Sequence, residues 1–133
     1  MAHYELTICG EFAASHRLRM YDGQVEPLHG HNWRVEMVVT APRLDSIGVG
    51  ADFGLLQRTL DEALNPLRDR HLNDLAPFSS VNPSAENVAR HVFEEVARRL
   101  PPEVRAARVR VWETSRCAAT YCVESFAQPT PRT

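Results

Sequence analysis

At 133 residues, with a formal net charge of -2 and no lysine among its 15 basic residues, the chain is one domain in size and lacks both the basic field that binds nucleic acid and an amine for Schiff-base chemistry. No stretch approaches the ~20 apolar residues of a membrane span and no basic-then-apolar leader precedes the first pattern, so a cytoplasmic protein is expected. Cys9, Cys117 and Cys122 form neither a paired framework nor a Cys-x-x-Cys motif, which fits a reducing compartment.

From Tyr4 to His16 the even positions Leu6, Ile8, Phe12 and Ala14 are apolar between Glu5, Thr7 and Glu11, the alternation of a half-buried strand, and His16 stays in the even register. Residues 17–28 contain Asp22-Gly23 and Pro27 and predict a loop. A second strand is expected from about His31 to Thr40, where Trp33, Val35, Met37 and Val39 continue the parity of His29 and His31. Asp52 is an N-cap candidate for a helix carrying Phe53, Leu56, Leu60 and Leu64, which Asn65-Pro66 ends.

Residues 68–78 are polar and irregular. Asn82-Pro83-Ser84 then opens a second helix, whose stripe of Ala85, Val88, Ala89, Val92, Phe93, Val96 and Leu100 has the three-four spacing. Pro101-Pro102 stops it. Ala107, Val109, Val111 and Glu113 share one side of a third long strand, a short turn leads into a strand over 119–126, and residues 127–133 are expected to form a flexible tail. This order predicts a single α+β domain over 1–126: a four-stranded antiparallel sheet with two helices on one face.

The chemistry gathers at His29-Gly30-His31. Side chains alternate along a strand, so the two imidazoles project to one side, about 7 Å apart at their backbones, with no side chain between them at Gly30. His16, ending the neighbouring strand on its core-facing register, supplies a third imidazole, and three neutral ligands leave zinc an open fourth position. Glu113 ends an apolar face and needs a partner there, either an arginine or a ligand with adjacent N–H donors. His71 is either a proton-transfer group or an ordinary loop histidine. His91, opposite the apolar stripe of its helix, is expected to be solvated.

Phe12-Ala13-Ala14-Ser15-His16, His29-Gly30-His31-Asn32, Gly48, Asp52-Phe53, Leu72-Asn73-Asp74, Asn82-Pro83-Ser84-Ala85-Glu86-Asn87 and Val111-Trp112-Glu113-Thr114 occur in an order that resembles the 6-pyruvoyltetrahydropterin and 6-carboxytetrahydropterin synthase family over about residues 3–126. The resemblance implies the tunnelling fold, a homohexamer with active sites between subunits, and zinc on His16, His29 and His31. It implies 7,8-dihydroneopterin triphosphate as the typical substrate, with Glu113 gripping the pterin's amino and ring N–H edge and the Ser84 hydroxyl assisting.

Family synthases carry a proton-abstracting cysteine shortly before the His-Gly-His and an Asp-His pair upstream of Leu-Asn-Asp. Here the first loop has no cysteine, and Arg68-Asp69 stands where the pair is expected. Glu26, three residues before His29, resembles a variant of the family that cleaves the same substrate to 6-hydroxymethyl-7,8-dihydropterin. Glu26 is therefore the expected base, with Asp69 and His71 as alternatives. Two functions follow: a zinc-dependent carbon-oxygen or carbon-carbon lyase acting on a pterin side chain, or a homologue that binds zinc and pterin without turnover.

Overall fold

The computed structural model describes residues 2–123; the end of the expected last strand and the expected tail lie outside the described residues. Strands β1 (Tyr4–His16) and β2 (His29–Ala41) form a long antiparallel ladder, followed by helix α1 (Phe53–Leu64), a two-residue strand β3 (Arg70–His71), helix α2 (Ala85–Ala97), β4 (Arg105–Thr114) and β5 (Cys117–Cys122). The sheet order is β3-β1-β2-β4-β5.

The expected four-stranded antiparallel sheet is thus a five-stranded mixed one, because β3 adds to the free edge of β1 in parallel, pairing Ala14 with Arg70 and Ser15 with His71. Two residues carry no periodicity to read. The pairing is set instead by the preceding Asp69, whose left-handed backbone (φ 59°) aims its N–H at the Ala13 carbonyl, 2.7 Å away.

The even face of β1 and the odd face of β2 are buried, as their alternation requires: Ile8, Phe12 and Ala14 lie beside Trp33, Val35, Met37 and Val39. Helix α1 covers this face closely. A Cβ added at Gly10 would stand 2.9 Å from Leu64 Cδ1, so glycine there lets the helix seat Leu56, Leu60 and Leu64, all fully buried. Burial of each such leucine contributes about 1.5–3 kcal/mol. Asp52 caps α1 through Gly54 N–H and Ser84 caps α2 through Asn87 N–H.

His91 departs from its expected solvated state. It is half-buried against the Phe78 ring, 5.2 Å between centroids, because the segment after β3 folds back over that side of α2. The opposite face of the sheet is polar, with Arg108 paired to Glu5 and the Trp112 indole N–H donating to Glu36. No helix among the described residues is long and apolar enough to cross a membrane.

Candidate metal centre

The β1–β2 register puts His16 opposite His29 and Ala14 opposite His31, so the alternation that buries Phe12 and Trp33 delivers three imidazoles to the end of the same face. Their ring centroids form a near-equilateral triangle with sides of 4.6, 4.9 and 5.0 Å. Trp33 lies beneath, its indole N–H donating to the Ala14 carbonyl and its ring 4.8 Å from that of His16.

Two rings are oriented from behind by backbone carbonyls. His16 Nδ1 lies 2.7 Å from the Pro83 carbonyl and His29 Nδ1 lies 2.9 Å from that of Pro27. A carbonyl accepts only, so each Nδ1 carries its hydrogen and each neutral ring presents an Nε2 lone pair to the centre. Burial holds the His31 pKa below the ordinary histidine value; the Glu113 charge works against that shift and the neighbouring imidazoles assist it.

Glu113 enters from β4. The register between β4 and β5 shifts between Trp112 and Thr114, leaving Glu113 in the irregularity, where a bulge re-aims a side chain. Its Oε1 stands 3.1 Å from both His16 Nε2 and His31 Nε2. Both nitrogens are buried without a hydrogen-bond partner. Lone pairs converging on one carboxylate oxygen repel unless a cation lies among them, and the ligand atoms of His16, His29, His31 and Glu113 all fall within 4.8 Å of one another. Three neutral imidazoles and a carboxylate suit a borderline divalent ion. The donor set fits a metal centre.

Glu26 reaches the rim of this centre. One oxygen accepts the Leu18 N–H at 2.9 Å and lies 3.8 Å from His29 Nε2. The loop bearing it is tied down by two asparagines that act as strand partners: Asn73 pairs with both backbone groups of Arg17, and Asn82 with both of Arg19. The Arg19 guanidinium also donates to the Phe78 and Ser79 carbonyls. The sequence marks Asn73, Asn82, Pro83 and Pro27 by motif or turn character alone. Their roles join residues 56 to 67 positions apart in all cases but Pro27, so local pattern carries no signal of them.

The other candidates lie elsewhere. Ser84 is 1 residue from Pro83 and its Oγ accepts the Asn87 N–H, leaving its own hydrogen free to donate. His71 meets Ser15, Nδ1 to Oγ 3.1 Å, and Ser15 faces away from His16 on β1. Asp69 lines a cleft with Ser15, His31 and His71. Within one chain, then, Glu26 and Glu113 join the three histidines, whereas Asp69 and His71 do not.

The sequence model described as 6-pyruvoyl tetrahydropterin synthase matches residues 5–124. The chain is 25% identical to a 6-carboxy-5,6,7,8-tetrahydropterin synthase of Rickettsia bellii, covering 80% of this chain and 91% of that one. It is 31% identical over 102 residues to a dihydroneopterin monophosphate aldolase of Pyrococcus furiosus, covering 77% and 82%. Among solved structures, the Caenorhabditis elegans 6-pyruvoyl tetrahydropterin synthase superposes with a TM-score of 0.80 at 22% identity, covering 92% of this chain and 96% of that one. That likeness shows the fold, which is the tunnelling fold. With a family match spanning nearly every described residue, the chain belongs to the 6-pyruvoyl tetrahydropterin synthase family.

Proposed function

We propose that the protein is a zinc-dependent lyase that cleaves the side chain of a 7,8-dihydroneopterin phosphate. The observation that carries this reading is the placement of Glu26 beside His29, 3.8 Å from its Nε2, at a centre of three imidazoles and a carboxylate. Zinc held by His16, His29 and His31 would polarise and acidify a side-chain hydroxyl. Glu26 takes a proton in place of a thiol. Glu113, 30% exposed at the rim, accepts the pterin's amino and ring N–H groups, and Ser84 donates its hydroxyl.

A carboxylate base in the 17–28 loop and the likeness to an aldolase favour breaking carbon-carbon over carbon-oxygen. Removal of the C2′ hydroxyl proton breaks the C1′–C2′ bond, and its electron pair moves into the C6–N5 imine. Return of a proton to C1′ gives 6-hydroxymethyl-7,8-dihydropterin and a phosphorylated two-carbon aldehyde. A homohexamer with sites between subunits is part of the proposal. The sheet is open, ending on β3 and β5, and exposed Tyr21, Val25 and Leu28 flank Glu26, which suits cover by a second copy.

Incubation with dihydroneopterin mono- and triphosphate, followed by mass spectrometry, tests the reading. The hydroxymethyl product is expected. Binding of pterin with no product from either substrate would establish the zinc- and pterin-binding homologue instead, the reading to which the missing cysteine and Asp-His pair point.

A further inference from the structure

We propose that the end of the sheet remote from the histidines carries a second small-molecule site, which takes a nucleoside monophosphate. It is separate from the metal centre: β1 spans 13 residues from Tyr4 to His16, which sets its two ends about 35–40 Å apart.

Two clefts adjoin at this end. The larger, about 690 Å3, has His3, Thr40, Arg43, Glu103 and Arg105 in its wall, and the smaller, about 400 Å3, has Leu44, Val49, Leu55, Pro101 and Val104; Arg43, Gly50 and Glu103 belong to both. That is room for a metabolite. The wall between β2 and α1 is built in advance. A Cβ at Gly50 would stand 2.9 Å from Ala41 Cβ, so the chain passes tightly over the end of β2, and the Asp45 carboxylate accepts the Ile47 and Val49 N–H groups.

Each part of the paired cleft calls for a different part of one ligand. The guanidinium groups of Arg43 and Arg105 have no ion-pair or hydrogen-bond partner among the described residues, although Arg90, Arg98, Arg99 and Arg108 all pair with acids elsewhere. Two unfilled forks of N–H donors suit the oxygens of a phosphate. The apolar walls of the smaller cleft, where Leu44 and Val49 stand exposed, suit a planar base. Glu103 is the one acid of the larger cleft and lines both, bonded to neither arginine. A carboxylate there opposes a bare anion but accepts the hydroxyls of a ribose set between base and phosphate. The acids of the smaller cleft are already engaged, Asp45 as above and Asp52 with the Gly54 N–H.

Calorimetric titration of the full, metal-loaded chain with adenosine and guanosine 5′-monophosphate tests the assignment, with the nucleosides, inorganic phosphate and the dideoxy nucleotides as partial ligands. One nucleotide at least should bind about ten-fold or more tightly than any partial ligand, and Arg43→Gln and Arg105→Gln should each weaken it about ten-fold. Glu103→Ala should weaken the ribonucleotide and spare its dideoxy form. All three side chains are exposed, so the variants should keep the wild-type metal content. His29→Ala should bind the nucleotide as the wild type does. No nucleotide binding by the wild type, binding that survives both arginine substitutions, or loss of binding in His29→Ala would overturn the site. Tighter nucleotide binding in Glu103→Ala would show a carboxylate that only repels the phosphate, and would overturn the nucleoside part of the assignment.

Discussion

Two loops approach the same end of β1, one at its buried face and the other along its free edge. The 17–28 loop leaves from His16 on the buried face and returns into His29, so Glu26 comes to lie at the histidine cluster. The segment at 68–74 meets the free edge of β1, where β3 pairs with Ala14 and Ser15 and His71 contacts the outward-facing Ser15 Oγ. A single step in strand parity thus separates a carboxylate within reach of the metal centre from a histidine that, in its own chain, faces away from it. Nearness in sequence to a motif says little; the face of the strand decides.

The largest effect expected is loss of the centre on which this contrast depends. His29→Ala and His31→Ala should each bring metal content from close to one ion per chain to a small fraction of that, measured by elemental analysis of the purified proteins. Unaltered content in either variant would detach both loops from any metal chemistry.

The two loops should then differ sharply in turnover. Glu26→Gln should abolish product formation while metal content and pterin binding persist, because the amide cannot take a proton and the ligands are untouched. His71→Ala and Asp69→Asn should remain active if the base lies on the buried face. The reverse pattern, an active Glu26→Gln with an inactive His71→Ala or Asp69→Asn, would mean that the outer-face loop of one subunit serves the centre of another.

Much of this was readable in the sequence for a physical reason. Strand alternation is local, so β1, its end at His16, and the shared face of His29 and His31 follow from parity alone, and the helices follow from their stripes and caps. Three features were not readable. β3 is too short for any pattern and depends on the backbone of Asp69. The half-burial of His91 depends on Phe78, thirteen positions earlier. Alternation does put Glu113 on the side of Val109 and Val111, but its meeting with His16 and His31 joins strands far apart in sequence, which local pattern does not carry.

A smaller effect should come from untying the site-bearing loop. Asn82→Ala removes the pair of hydrogen bonds to Arg19 N–H and C=O, at 2.8 and 2.9 Å. At about 0.5–1.5 kcal/mol for each bond, denaturant unfolding should show a loss on the order of 1–3 kcal/mol. Pterin turnover should fall with it, since Glu26 lies on the loop so released, while metal content should hold. A stability change without any change in turnover would show that Glu26 keeps its place by its own bond to Leu18.

The smallest effect concerns acid and reaches the same loop from below. His91 packs on Phe78, whose carbonyl accepts the Arg19 guanidinium. Burial holds the His91 pKa below the ordinary value, outweighing Glu95 and Glu94, which favour the protonated form; Arg98 and Arg99 act with burial. The unfolded chain therefore binds a proton at His91 before the folded one does, and the stability present above about pH 6.5 declines as pH falls toward the lower folded value. His91→Leu should flatten this part of the stability profile, read as the difference in slope between variant and wild type so that the three site histidines, common to both, cancel. Amide exchange should locate the effect, with Arg19 N–H becoming less protected in acid in the wild type than in the variant, while Asp69 N–H, bonded to the Ala13 carbonyl on the far side of β1, responds equally in both. Equal slopes would remove His91 from the account of the loop, and equal exchange at Arg19 would confine its titration to α2.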